Sequence, residues 1–298
     1  MLSILIPTYN YDVTNLVTEI HKQCNETAIS FEIIVSDDAS SKKSFITKND
    51  SITFLKNVSL ISNTVNVGRT ANRNKLVENS NYSWLLFLDA DVMPASKNFI
   101  KNYIEQIDNK FDVIFGGIAY SEKKPLDKEK LLRWHYGKQR EAKSVSHRKK
   151  KPHFIISQNL LIKKETFTKA NTLVENHYGL DNFFSNRLKN MNAAVLHVKN
   201  PVIHHGLENT EVFLEKSLQS VKSTFTLEKD GLLDYNLRPM QQSYLKLKKW
   251  RLTKLFNWFI GLFKNMMEAN FRSSKPNLFW FDLYRLHYYI KLKRAENA

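Results

Sequence analysis

The sequence predicts an α/β fold with a mainly parallel central sheet, followed by a helical extension, and three observations carry that prediction. Short apolar runs alternate with helix-length amphipathic stretches through residues 1 to 206. The runs FEIIV and WLLFL are continuous rather than alternating, as strands covered on both faces of a parallel sheet are. Beyond Gly206 the apolar residues fall at helical spacing instead.

Taken in order, Leu2 to Ile6 reads as a strand that Pro7 closes, residues 12 to 24 as a helix, and Phe31 to Ser36 as the second strand. Val58 to Ser62 and Ser83 to Leu88 continue the strand series, with a helix over 69 to 80 between them. FDVIFGGIAY, residues 111 to 120, reads as a further strand and leads into a basic stretch from Glu122 to Lys151, in which SHRKKKPH is expected to be a mobile loop. FIISQNLLIKKETF and AAVLHVKNPVIHH are strand-like, and FFSNRLKN between them is helical. A first domain is placed over residues 1–206 and a helical, basic and aromatic extension over 207–298. In the extension Leu252, Leu255, Phe256, Phe259, Phe263, Met266 and Met267 follow the i, i+3, i+4, i+7 spacing of one helix face.

The chain has 298 residues, 42% hydrophobic and 12% aromatic, enough apolar surface to offset chain entropy and to exclude disordered and collagen-like classes. Cys24 is the single cysteine, which excludes an intrachain disulfide and suits a reducing compartment. MLSILIPTYN carries no basic leader and breaks at Pro7, and no segment reaches the length of uncharged apolar chain that spans a bilayer. A cytoplasmic location is therefore expected, with association at the inner face of the cell membrane left open. The net charge of +16 calls for an anionic partner, among which nucleic acid, acidic lipid and phosphorylated substrate are not distinguished by charge alone. No helix-turn-helix, zinc-finger or RNP signature accompanies the charge, so nucleic acid is not expected as a partner.

The segment WLLFLDADVMP places Asp89 and Asp91 directly after a buried strand. Two carboxylates at one strand exit suit a hard divalent ion such as Mn²⁺ or Mg²⁺, whose remaining oxygen ligands come from substrate phosphate. The glycine fingerprint of dinucleotide-binding folds and the P-loop are both absent, and Gly116-Gly117 is the sole glycine pair.

SILIPTYN, FEIIVSDDAS, NVGRTANRN and LDADVMP, in that order and at strand-and-turn spacing, together resemble glycosyltransferase family 2, over about residues 1 to 206. The resemblance implies a GT-A nucleotide-sugar-binding fold of the bacterial cell-surface polysaccharide type. It implies an inverting, metal-dependent glycosyltransferase of the hexosyltransferase type, moving a sugar from a nucleotide-sugar, here a UDP-sugar, to an acceptor hydroxyl on a glycan or a lipid-linked acceptor. It places the nucleoside against Pro7, Thr8, Tyr9, Asp37 and Asp38, although Asp37 and Asp38 also read as a turn cap after a strand. It lays Gly68, Arg69 and Arg73 along the donor, where an arginine meets diphosphate or braces the aspartates. It makes Asp89 and Asp91 metal and donor ligands, with His204 favoured over His205 near the metal, a polar strand end being the alternative.

The family's Gly-Glu-Asp element reads Tyr178-Gly179-Leu180-Asp181-Asn182 here, one carboxylate short. One alignment makes Asp181 the catalytic base, and another puts Asn182 at that place. Asp181 alone of the two accepts a proton, and its other reading is an N-cap for the helix that follows. Trp134, His135 and Tyr136 read either as a cover over the acceptor cleft or as core. Two further function classes stay open: a sugar-nucleotide-binding protein whose altered Asp181-Asn182 element impairs catalysis, and a basic nucleic-acid-binding protein. The stripe from Leu252 to Met267, with Trp250, Trp258 and neighbouring lysines, reads either as contact with an anionic membrane surface or as packing against its own domain.

Overall fold

Strand β1 (Leu2–Thr8) is buried along nearly its whole length, because parallel neighbours flank it and helices cover both faces. The computed structural model describes residues 1–108, 110–173 and 180–296. Around β1 the chain lays down α1 (Thr14–Asn25), β2 (Phe31–Asp37), α2 (Lys43–Asp50), β3 (Val58–Ser62), α3 (Arg69–Glu78) and β4 (Trp84–Leu88). Next come β5 (Val92–Pro94), α4 (Phe99–Ile104), β6 (Val113–Phe115) and β7 (Ile118–Ala119), then α5 (Leu131–Tyr136) and α6 (Val145–Arg148). The series continues with β8 (Asn159–Lys163), α7 (Lys164–Ala170), α8 (Asp181–Asn190), β9 (Val195–His197) and β10 (Val202–His204). Five helices complete the chain: α9 (Thr210–Lys229), α10 (Pro239–Lys249), α11 (Thr253–Leu262), α12 (Lys264–Phe271) and α13 (Leu278–Glu296).

The chain divides into two compact units, one of residues 1–121, 142–176 and 187–206, the other of 122–141, 177–186 and 207–298. The helical second unit thus takes in two segments that precede residue 207 in the chain. Within the first unit the large sheet runs β3-β2-β1-β4-β8-β6-β9. β3, β2, β1 and β4 are parallel, and β8 runs antiparallel to both β4 and β6. Succession along the chain moves outward from β1 to β3 and then crosses back to β4 on the other side of β1. Such a reversal opens a crevice at the carboxyl ends of the central strands, where open α/β sheets bind ligands. Leu2, Ile4, Ile6, Leu16, Val17, Ile20, Ile33, Val35 and Leu86 fill the layer between α1 and the sheet. Cys24 lies in that layer, and burial pushes its thiol up to about 12.

Residues 111–120 are not one strand. The run bends between β6 and β7, where Gly117 has φ +92° and a Cβ on Gly116 would lie 2.2 Å from the Asn200 carbonyl. The small sheet β5-β10-β7 begins at that bend. SHRKKKPH is not a loop throughout, because Ser144 caps α6 and Arg148 is buried. The Arg148 guanidinium donates to the carbonyls of Phe115 (2.7 Å), Val198 (2.8 Å) and Gly116 (3.3 Å), adding to the backbone bonds that Phe115 and Gly116 accept from Val198 N and Asn200 N, and so ties the bend together. In FIISQNLLIKKETF the strand ends at Lys163 and α7 takes over, while AAVLHVKNPVIHH splits into β9 and β10, which belong to different sheets.

In the second unit Leu132, Phe213, Leu214, Phe271, Phe281 and Tyr284 form a core around α13. α13 has buried residues at Leu278, Phe281, Tyr284, Leu286, His287, Tyr289 and Ile290, as expected of a helix packed by α5, α9, α10, α11 and α12 on several sides. Tyr289 donates to Glu228, which also pairs with Lys293 at 2.8 Å. Trp134 is buried and Tyr136 meets the rings of Phe213 and Phe281 edge-on, so these two pack into the helical core, while His135 is half-buried. The apolar stripe at 252–267 is divided between α11 and α12 rather than lying on one helix. Among the described residues no helix is long and apolar enough to cross a membrane.

Candidate active site

Three strand ends of the first unit meet at one edge because β1, β2 and β4 run parallel in register. Pro7, Thr8 and Tyr9 close β1, Asp37 and Asp38 close β2, and Asp89 to Asp91 follow β4. Thr8 is buried and its hydroxyl donates to the Tyr11 carbonyl at 3.3 Å, whereas Tyr9 is half exposed, at 51%.

The two aspartates after β2 have separate duties. Asp37 Oδ1 accepts from the Ser40 backbone N–H (3.0 Å) and from its hydroxyl (2.6 Å), the turn cap that strand-ending aspartates commonly make. Asp38 holds the loop before α3: Oδ1 accepts from Val67 N (2.8 Å) and Asn63 Nδ2 (2.9 Å), and Oδ2 from Gly68 N (2.8 Å). Gly68 therefore serves the site through its backbone, setting where α3 begins.

α3 presents Arg69 and Arg73 one turn apart, on one face. Both reach Asp89, Arg69 Nη2 to Oδ2 at 2.7 Å and Arg73 Nη2 to Oδ1 at 2.6 Å. Arg73 is buried, and its guanidinium also donates to the Ser157 carbonyl at 3.3 Å and lies over the Phe87 ring. Each Asp89 oxygen is thereby engaged by a guanidinium, the geometry that allows a carboxylate to leave water.

Asp91 stands in a different setting. β10 pairs antiparallel with β5, His204 opposite Val92, and the His205 N–H donates to the Asp91 carbonyl at 2.8 Å. This register brings His204 Nε2 to 3.1 Å from Asp91 Oδ2. His204 is buried with the Tyr120 ring edge-on against it, while His205 is exposed. Burial would push the Asp91 carboxyl up, but the hydrogen bond and attraction from His204, then the Arg69 charge, outweigh it and hold the carboxyl below its usual range. Gly206 closes the pocket wall: a Cβ there would stand 1.8 Å from Asp91 Oδ2.

An oxygen and a nitrogen donor thus converge at Asp91 and His204, and among the described residues no group of three or more His, Cys, Asp or Glu forms a metal cage. A pair of protein donors fits an ion that takes its other ligands from substrate phosphate and water, as Mg²⁺ and Mn²⁺ do. Asp89 fits that role less well, since both its oxygens face arginines.

Asp181 opens α8 and is half-buried in the second unit. Its charge acts on Arg238, whose pKa burial pushes down to about 10 while Tyr136 and Asp181 pull it up. Asn182 is buried and its amide faces the Thr224 hydroxyl at 3.4 Å. Tyr178 and Gly179 lie outside the described residues.

Tyr11, Tyr120 and Gly206 are site neighbours that the linear pattern does not expose. The Tyr11 hydroxyl is pushed up by burial and then by the charges of Asp91 and Asp12. A glycine directly after NPVIHH was the one visible signal for Gly206.

The family model for glycosyl transferase family 2 matches residues 3–170. Among solved structures, the chain resembles the mannosyltransferase PcManGT from Pyrobaculum calidifontis, in complex with GDP-Man and Mn²⁺, at 14% identity over 99% of this chain and 86% of that one, TM-score 0.61. It also resembles S. aureus TarS 1–349, at 15% identity over 100% and 92% of the two chains, TM-score 0.51. The TarS 1–349 complex with UDP-GlcNAc gives 15% identity over 99% and 92%, TM-score 0.51. At these identities the likeness is one of fold. No curated protein sequence matches the chain.

Proposed function

From the premise that this chain belongs to glycosyltransferase family 2 and is a glycosyltransferase, we propose that it is an inverting, metal-dependent enzyme that moves a sugar from a UDP-sugar onto an acceptor hydroxyl. The acceptor is a glycan or lipid-linked glycan of cell-surface polysaccharide synthesis, met at the inner face of the cell membrane. The observation that carries the reading is the strand-exit edge, where Asp89 is gripped by Arg69 and Arg73 while Asp91 is bonded by the His204 side chain.

In this reading Pro7, Thr8, Tyr9 and Asp37 border the nucleoside, and a carboxylate there accepts the imide proton of uracil. Asp38 keeps Val67 and Gly68 in place through its three hydrogen bonds and borders the nucleoside with its remaining acceptor capacity. Arg69, partly exposed, turns toward the donor diphosphate, and Arg73 fixes Asp89. Asp91 with His204 would hold Mn²⁺ or Mg²⁺. When bound, the ion offsets charge developing on the departing diphosphate, a stabilisation commonly worth several kcal/mol. Asp181 takes the proton from the attacking hydroxyl, which approaches the anomeric carbon opposite the leaving nucleotide, so no covalent intermediate is needed. Residues 1–206 are proposed as the catalytic domain and 207–298 as its helical extension.

The PcManGT complex holds GDP-Man and the TarS 1–349 complex UDP-GlcNAc, so the nucleotide has to be tested directly. The test is nucleotide release from a panel of UDP- and GDP-sugars with Mn²⁺ or with a chelator. Expected is release from one UDP-sugar that the chelator suppresses at least tenfold. Faster release from a GDP-sugar would overturn the nucleotide assignment, and equal rates in chelator would overturn the metal.

A further inference from the structure

The apolar stripe of the extension is split by the structure into an inward and an outward set. Ile260 and Met267 are buried in the helical core, with Phe256 and Phe263 packed against it. Trp250, Leu255, Trp258, Phe259, Leu262 and Met266 face outward, with Trp250 at 69% and Trp258 and Leu262 each at 62% exposure. Leu255, Trp258, Phe259 and Leu262 recur at helical spacing and form one strip along α11, and Met266 on α12 is exposed as well. Large rings gathered in water in this way mark a surface that something covers.

Charge names the occupant. Between Asp234 and Glu268 the chain has no acidic residue and seven basic ones. Lys246, Lys248, Lys249, Arg251 and Lys254 are exposed on α10, at the start of α11 and in the turn between them, and Lys264, also exposed, pairs with Glu268 at 3.5 Å. A second copy of this chain would bring the same cations against them, whereas an anionic bilayer supplies the opposite charge and an apolar interior together. Tryptophans on such a strip suit the headgroup boundary, since an indole is apolar with one polar N–H. α13 contributes little, because most of its aromatic rings are core and Lys293 is paired with Glu228.

We infer that α11, with the end of α10 and the start of α12, is an interfacial helix that seats this chain on an anionic lipid surface, its outward strip lying among the acyl chains and its cations among the headgroups. The inference deepens the lipid-linked acceptor reading above, and it stands or falls by a separate measurement.

That measurement is sedimentation of the whole chain, without donor, with vesicles of phosphatidylcholine alone or mixed with phosphatidylglycerol, at low and at high salt. Expected is pelleting with the anionic vesicles at low salt, at least tenfold above the neutral ones, and at least a fivefold loss for the double variant Trp258→Ser/Leu262→Ser. A Lys248→Glu/Lys249→Glu variant is expected to lose binding as well. All variants should release nucleotide in vesicle-free solution at the wild-type rate, so a failure of the catalytic reading shows there and not in the pellet. Recovery of the wild type in the supernatant with both vesicle types would overturn the inference. Undiminished binding by Trp258→Ser/Leu262→Ser would overturn it too, as would a dimer in solution that this variant dissolves without any vesicle binding.

Discussion

At the strand exits of the first unit, charges have been drawn out of water and each has a partner; on α10 to α12 of the second, cations and large apolar rings stand side by side in solvent. Asp89 has two guanidiniums within 2.7 Å, and Asp91 has His204 at 3.1 Å. Around Trp258 the exposed lysines have few acids to meet. A buried charge persists only with partners, so the first region is preorganised for a charged ligand. An exposed apolar strip persists only where something else covers it, so the second is prepared for a surface. One chain thus sets opposite solvent relations against its two proposed kinds of ligand.

Substitutions can break this contrast, and the largest effect is expected at the proposed base. Asp181→Asn should depress transfer by about two to four orders of magnitude with donor affinity near wild type, as for a lost general base. Steady-state kinetics with saturating donor checks it, and full activity would place the base elsewhere. Gly206→Ala comes next. The added methyl has no room beside Asp91 Oδ2, so the carboxylate must move, and kcat should fall about ten- to a hundredfold while the melting temperature hardly changes. The same substitution at Gly261 sharpens the comparison. That residue lies within α11, where a Cβ would be at an ordinary 3.7 Å from His287 Cε1, so Gly261→Ala should leave nucleotide release unchanged and raise stability by about 0.5–1 kcal/mol. Denaturant unfolding measures it, and a loss of stability would mean that α11 is packed more tightly than its exposed face indicates.

How much of this was legible in the sequence depends on whether the cause is local. Val58–Ser62 is the strand the apolar run predicts, and β1, β2 and β4 differ from their predicted ends by no more than two residues, since continuous apolar runs between turn residues carry their own boundaries. The α/β class, the family and the positions of Asp89 and Asp91 at a strand exit follow from such runs. The resemblance offered an arginine that meets diphosphate or braces the aspartates. That Arg69 and Arg73 both hold Asp89 was not legible, because it depends on where α3 lies against β4. The break at Gly116-Gly117 was hidden for the same reason: the crowding comes from Asn200, far along the chain. Periodicity over 252–267 could not separate core from surface, because α11 is apolar on both faces and only the packing of α13 and its neighbours decides which face is covered.

The most direct test of the central claim is calorimetric binding of UDP to the wild type and to Asp91→Asn, each with and without Mn²⁺. Asp91 is held by one histidine and Asp89 by two arginines, so Mn²⁺ is expected to tighten UDP binding at least tenfold in the wild type. That gain should vanish in Asp91→Asn while the metal-free affinity and the fold are retained. An equal Mn²⁺ gain in both proteins would contradict it, since the ion would then be held by residues other than Asp91.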